Sequence, residues 1–520
     1  MKNPDVSGCT ALETFWCHDS NFTELDLRTN TALKELKCYN NKLSSLDLSA
    51  NTNLTNVEAS DQRVGVVPMC YDSTSGKFIS KKNSTDAGIK FNANSDIYSN
   101  AEMTTALTGF DVENKLLTAT SDKTGLGTGY FSSILVTGKE WTLDGSFSYI
   151  LPGYVDVVAA DNLTSTSGLL GAFGLTSSTG SVTSCPDFAT KIQQGVLGQY
   201  DITIKSGSTS YDTAIIVAVE INSTNFPDEK FRNFASTKDT GEKSGYMTLA
   251  ELEAVTTINV SGTDGTKDGC TTLKGIEYFT NLVYLYCNSG TITTLDLSQN
   301  INLKTLECIS QSLTSLNVSK CKVLDRISMQ WNTQITNLNV RECTSLRILD
   351  VDCCMSLKTL NVSGMTSLKE LYCYNAREFY DLDTTGCTAL EILYCNGTQI
   401  AELDLSTNTA LKDLKCYNNR ISSLDLSANT NLTNVEASDQ RVGVVPMYYN
   451  STEKKYISKK NTTDAGIKFN ANSDIFSNAE MTTSLSGFDV ENQFLTATTD
   501  NTGLGTGYFS SILVTGKEWT

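Results

Sequence analysis

The sequence predicts a mainly β protein, a solenoid of short leucine-bearing repeats with a small helical cap, alternating with β-sandwich modules. Three observations predict it: leucines recurring every 21 or 22 residues, a near-verbatim long repeat, and short alternating runs parted by Gly, Ser, Asn and Asp. The short period reads Leu33-Lys34-Glu35-Leu36-Lys37-Cys38-Tyr39-Asn40-Asn41, then Leu46-Asp47-Leu48-Ser49, and restarts at Leu54. Leu12, Leu33 and Leu54 open one group of units; Leu282, Leu303, Leu324, Leu346, Leu368, Leu390, Leu411 and Leu432 open a second. This is a leucine-rich repeat. Each unit supplies one short strand, and stacking buries leucines that no unit could cover alone, so a curved solenoid follows.

Taken in order, residues 1–62 read as the end of one leucine-rich array. Residues 63–220 carry alternating runs such as Lys77-Phe78-Ile79-Ser80 and Thr213-Ala214-Ile215-Ile216-Val217-Ala218-Val219, spaced as in one or two antiparallel β-sandwiches, for which an immunoglobulin-like arrangement is one form. The apolar run Gly168 to Leu175 reads as sandwich core in preference to an exposed interface. Residues 221–262 read as two short helices. Pro227, Asp228 and Glu229 suit a first turn whose N–H groups are free, and Thr248-Leu249-Ala250-Glu251 is a capping box. Residues 263–440 form the second array, and 441–520 repeat the β-rich module in part. Asp5 to Thr142 realigns with Asp383 to Thr520 at a constant offset of 378, and only 16 of 114 positions from Thr29 onward differ. Such similarity marks a recent duplication and points to a longer, fibre-like array. The first array starts at Leu12 with no cap before it, and the sequence stops where the first copy runs on, so head-to-tail self-association is expected.

The wording Leu-x-Cys-x-x-Asn and Leu-Asp-Leu-Ser-x-Asn-Thr resembles leucine-rich surface proteins of bacteria, broadly the internalin-like and BspA-like adhesins. The resemblance covers about half the chain. It implies an extracellular or cell-surface location and a partner that is a host protein or glycan. The two helices before the second array look like the EF-hand-like cap that starts internalin-type solenoids.

Composition narrows the function. A net charge of -18 leaves no basic face for nucleic acid, and no apolar stretch approaches the length that spans a bilayer, so no membrane insertion is expected. The 16 cysteines fall mostly in two repeat columns. Cys17, Cys38, Cys287, Cys308, Cys373, Cys395 and Cys416 take the inward strand position, where Met329, Val351 and Ala437 substitute. Cys9, Cys321, Cys343 and Cys387 share a column with Asn30, Asn51, Asn408 and Met365. Apolar or amide replacements need no second sulfur, so core thiols are expected, not bridges or metal sites. Vicinal Cys353 and Cys354 fit neither column.

Catalytic signals are weak. The one histidine, His18, adjoins Cys17, but its column also holds Tyr39 and Asn396, and Cys17 should point inward; no catalytic residue is assigned. An EF-hand count through Gly245 gives calcium-ligand positions to Glu242 and Glu251, but its first position is Thr240, so the loop is degenerate and calcium a minor alternative to no cofactor at all. The surface expected to bind is the outward strand column of the second array: Tyr284, Tyr286, Asp350, Asp352, Tyr372, Tyr374, Tyr394 and Tyr417, with Trp331 just past its strand. Tyr and Trp give large, stiff contact area with a polar tip, although strand propensity alone also places tyrosines there. The expected function is a non-catalytic extracellular repeat protein, a surface fibre or adhesin. Alternatives are a receptor-type domain for one host protein or glycan, and an accessory binding region of a larger enzyme.

Overall fold

A computed structural model describes residues 2–72, 75–82, 86–120, 123, 125–136, 139–158, 164–239, 245–263 and 266–511, the side chains of residues 139 and 140 aside. The chain forms two compact units, Met1–Asn225 with Ala235–Glu251, and Phe226–Phe234 with Leu252–Thr520. Both combine leucine-rich coils with further β structure. The chain is mainly β.

In the second unit, nine three-residue strands pair in parallel from Thr257–Asn259 to Asn434–Glu436. Their central residues stack in one register: Ile258, Leu285, Leu306, Ile327, Leu349, Leu371, Leu393, Leu414 and Val435. Each stacked leucine is buried, as are the repeat-opening residues from Leu282 to Leu432. At about 25 cal/mol per Å² of apolar surface removed from water, this continuous column is the main source of the solenoid's stability. The coil corner after each strand but the first has a positive φ, at Ser289, Ser310, Trp331, Cys353, Asn375, Gly397, Asn418 and Asp439. Cys353 therefore sits in the left-handed corner position.

The next residue decides how the corner is held. In 21-residue coils an amide from the following coil reaches back: Asn419 donates to the Cys395 and Cys416 carbonyls, both at 2.9 Å, and accepts from the Ile400 N–H at 3.1 Å. Asn41, Gln62 and Gln440 act in the same way. The coils opening at Leu324, Leu346 and Leu368 have 22 residues, and there the extra residue lets the corner close on its own backbone. Ile335, Leu357 and Phe379 donate to the carbonyls of Asn332, Cys354 and Ala376. No amide is then needed from the coil that follows, and Cys354 and Ala376 occupy that place. Cys354 Sγ keeps only a 3.5 Å contact with the Met329 carbonyl.

A second corner is held by Asn30, Asn51, Asn300, Asn408 and Asn429, each donating twice to backbone carbonyls. Cys321, Cys343 and Cys387 replace them with Sγ contacts of 3.0 to 3.6 Å to the same kind of carbonyl. All sixteen cysteines are free thiols, thirteen of them buried.

The helical segment begins at Glu229, with Asp228 accepting from the Phe231 N–H at 3.0 Å and from Thr271 at 2.8 Å. Phe226 and Phe231 pack on Phe279, with ring centroids 6.0 to 6.3 Å away, and so cover the start of the array. The capping box forms as expected: the Thr248 N–H and hydroxyl donate to Glu251, at 3.0 and 2.9 Å.

In the first unit, Thr14–Trp16 and Glu35–Lys37 stack on the start of Asn56–Pro68. That strand runs on out of the repeat and pairs in parallel with Lys139–Ile150, which pairs antiparallel with Leu126–Val136. Gly153–Asp156 also pairs in parallel with Thr209–Glu220. The region is thus not antiparallel throughout, because Asn56–Pro68 leaves the solenoid with ladder groups still to satisfy and a distant strand satisfies them. Four short strands, Cys70–Asp72, Lys77–Ile79, Phe110–Glu113 and Leu116–Thr120, make a separate antiparallel sheet. The apolar run after Gly168 is core, but on a short helix, Thr166–Gly171, with Leu169, Leu170 and Phe173 buried.

Candidate binding face of the second array

On either side of the buried leucine column, two strand positions face outward. The position after the leucine carries Tyr286, Glu307, Ser328, Asp350, Tyr372, Tyr394, Lys415 and Glu436, in ladder register. The one before it carries Tyr284, Thr305, Arg326, Ile348, Glu370, Ile392 and Asp413. Two residues past the first column lie Gln330, Asp352, Tyr374 and Tyr417. Period-two alternation puts all of these on one side of the sheet.

The structure draws several of the expected residues together. Tyr372 and Tyr394 meet edge to face, centroids 5.3 Å apart. The Tyr372 hydroxyl donates to Glu370 at 3.0 Å and that of Tyr394 to Asp413 at 2.7 Å. Lys415 Nζ lies 5.0 Å above the Tyr394 ring and 2.9 Å from Glu436. The same triad recurs in the first array, where Lys37 lies 5.2 Å over Trp16 and 2.9 Å from Glu58.

The acidic centre lies beside them. Asp350 accepts from Gln330 and, at 3.2 Å, from the Asp352 N–H. Burial, reinforced by the charge of Asp352 and opposed by these hydrogen bonds, pushes the Asp350 carboxyl up to about 6. Asp352 is only 8% exposed, and its Oδ1 has no hydrogen-bond partner. Burial and Asp352 together push the Tyr374 phenol up to about 12. Tyr284, at 42% exposure, and Tyr286 stand three coils away from this centre along the same sheet. Trp331 is 51% exposed and occupies the left-handed corner, φ 64°, not a strand. Tyr417 is half-buried past its strand. The tyrosine column was readable from the sequence; the burial of Asp352 was not, since it depends on packing across coils.

The other signals resolve locally. His18 stacks on Tyr39, centroids 4.5 Å apart, and its Nδ1 lies 2.7 Å from Asp19. Cys17 is buried, and that burial pushes its thiol up to about 12, the reverse of an activated nucleophile. Glu251 is engaged with Thr248, and Glu242 lies outside the described residues. Among the described residues, no group of three or more His, Cys, Asp or Glu could hold a metal ion, and no helix is long and apolar enough to cross a membrane.

No protein-family model and no curated protein matches the chain. Solved structures similar to it include the functional domain of InlJ from Listeria monocytogenes, which includes a cysteine ladder. That likeness has 33% identity over 42% of this chain and 47% of that one, with a TM-score of 0.36. Internalin C2 of the same organism is similar at 22% identity over 44% of this chain and 90% of that one, with a TM-score of 0.27. Internalin F, also of that organism, is similar at 19% over 43% and 85%, with a TM-score of 0.22. The chain spans about half the length of the InlJ domain. On its own ladder geometry the chain is a leucine-rich-repeat protein, and it is similar to the bacterial internalins.

Proposed function

We propose that this chain is a non-catalytic binding protein of the bacterial surface, an adhesin or the binding segment of a surface fibre, and that its partner docks on the strand face of the second array. The observation that carries this reading is the centre of that face, where Asp350 and Asp352 are held at a cost to the fold beside Tyr372, Tyr374 and Tyr394. Carboxyls kept in so unfavourable a place on an outward face point to recognition. The outward positions named above hold six acids, Glu307, Asp350, Asp352, Glu370, Asp413 and Glu436, against Arg326 and Lys415. A protein partner presenting basic side chains complements them. Within this reading, the arrays at 1–62 and 263–440 and the cap at 221–262 carry recognition, while the sandwich-type modules at 63–220 and 441–520 act as spacers. The near-verbatim long repeat supports the fibre.

The test is a Tyr372→Ser, Tyr374→Ser, Tyr394→Ser chain, compared with the parent for binding to cultured epithelial cells and to a glycan array. Hot-spot side chains cost about 2 kcal/mol or more each, non-additively, so cell binding should weaken at least about thirtyfold with circular dichroism unchanged. Equal binding would mean that these tyrosines are there for strand propensity alone.

A further inference from the structure

Four of the acids on the outward face of the second array have partners: Glu307 accepts from Asn288, Glu370 from Tyr372 and Asp413 from Tyr394, and Glu436 meets Lys415. The centre of the face is different. Asp352 is only 8% exposed, yet its Oδ1 has no hydrogen-bond partner, and neither has the buried Oε1 of Gln330. Turning the Gln330 amide over does not cure this, because its Nε2 is the donor to Asp350. Both unpartnered atoms are acceptors, and a buried acceptor left dry costs free energy that a donor would return.

The ladder places these atoms together. Ser328 pairs with Asp350 and Asp350 with Tyr372, so Gln330, Asp352 and Tyr374, two residues further on, stand in one column on three successive coils. Backbone bonds keep the register there: the Trp331 N–H donates to the Asp352 carbonyl at 3.0 Å, and the Cys353 N–H to the Tyr374 carbonyl at 3.1 Å. Neighbouring coils run about 4.8 Å apart, which brings the two oxygens and the Asp350 carboxyl within reach of one ligand group. Aromatic side chains adjoin them, Tyr374 against the Asp352 carboxyl and Trp331, 51% exposed, at the corner of the preceding coil. Arg326, the one cation among the outward positions of these three coils, turns its Nε to Ser328 at 3.3 Å. The strand of Asp350 has four others of the sheet on each side, so the surroundings are those of a mid-array coil.

Resting on the reading of this face as the docking surface, we propose that Gln330, Asp350 and Asp352 form a socket for the guanidinium of one arginine side chain of the protein partner. The unpaired atoms call for donors, and two carboxyls call for a cation. The adjoining rings suit a planar, weakly hydrated guanidinium better than a compact ammonium. A sugar hydroxyl fills an acceptor but leaves the charge of the acids uncompensated. Entry requires a side-chain turn, and Tyr374, half-buried against Asp352, is placed to make it.

The test titrates acetyl-Gly-Arg-Gly-amide, and its lysine and citrulline counterparts, into the full chain and follows amide chemical shifts. The arginine peptide should give saturable shifts confined to residues 330–331, 350–353 and 372–375, bind at least about fivefold more tightly than the lysine peptide, and leave citrulline, its uncharged likeness, unbound. Asp352→Asn should weaken arginine binding at least about tenfold, as expected for a lost bond to a charged group, and Glu436→Gln should leave it unchanged. The change of peptide keeps the test decisive if a variant misfolds. Absence of saturable shifts, equal binding of arginine and lysine, an equal loss in Glu436→Gln, or the same shifts from calcium chloride alone would overturn the socket. The socket fails alone if the triple tyrosine change still weakens cell binding; the face fails alone if arginine binds but that change leaves cell binding intact.

Discussion

Replacing Asn419 by Ala isolates the corner ladder. The amide is buried, donates twice at 2.9 Å to carbonyls of two successive coils, and accepts the Ile400 N–H at 3.1 Å. Its removal leaves the buried Ile400 N–H without a partner and takes one of two donors from each carbonyl, Cys395 keeping Thr398 and Cys416 keeping Gln440. An N–H left dry costs roughly 1–3 kcal/mol, and each hydrogen bond taken from a carbonyl that keeps another partner about 0.5–1 kcal/mol, so the loss should be about 2–4 kcal/mol. Cys354→Ala, in the same column, removes one 3.5 Å sulfur contact and a small apolar group from a corner that closes on its own backbone. That change should cost about 1 kcal/mol. The assay is urea unfolding of the full chain followed by far-ultraviolet circular dichroism. Because long repeat arrays lose two-state cooperativity, it is paired with amide exchange at Ile400, which should accelerate in Asn419→Ala alone. Losses within 1 kcal/mol of each other would refute the link between coil length and the amide.

The inward thiols should resist alkylation at pH 8 until the chain is denatured, and peptide mass mapping should find no bridges among them. Burial holds Cys17 and Cys416 near 12, above the unfolded value of about 8.5. The folded state therefore binds more protons above pH 8.5, and stability falls from there towards pH 12, by about 2 kcal/mol per such thiol at pH 10. Cys416→Ala should flatten that alkaline slope; a slope unchanged by it would contradict the assignment. Asp350, pushed up to about 6, works in the acid range: the folded state binds its proton more tightly between about pH 4 and 6, so stability rises as pH falls through that window. Asp350→Asn should accordingly stabilise the chain by about 1–2 kcal/mol at pH 7 and by nothing at pH 4, read by urea melts at both values.

Much of this was legible in the sequence because solenoids write their core as columns. Leu282 to Leu432 announce their burial by period alone, and the exchange of Cys395 for Met329 or Val351 marks an apolar seat. The capping box at Thr248 and Glu251 is likewise local, and local motifs carry their own geometry. The amide ladder was also written there, as Asn or Gln at 41, 62, 311, 332, 419 and 440, but its meaning needs the difference between 21- and 22-residue coils. What could not be read is long-range register. Nothing near Asn56–Pro68 says that its partner is Lys139–Ile150, running parallel. On the binding face, side-chain identity located the tyrosines, whereas the burial of Asp352 arises from neighbours one coil away.

The measurement that bears most directly on the binding face is site-specific photocrosslinking on intact epithelial cells. A benzophenone side chain is placed either at Tyr372, in the acidic and aromatic centre, or at exposed Asn361, on the separate two-stranded sheet of Thr359–Asn361 and Asp381–Asp383. A discrete adduct with a cell-surface protein from position 372, abolished by Asp350→Asn with Asp352→Asn and absent from position 361, is the predicted result. Adducts from position 361 alone, or equal adducts from both positions regardless of the acids, would contradict the assignment of this face.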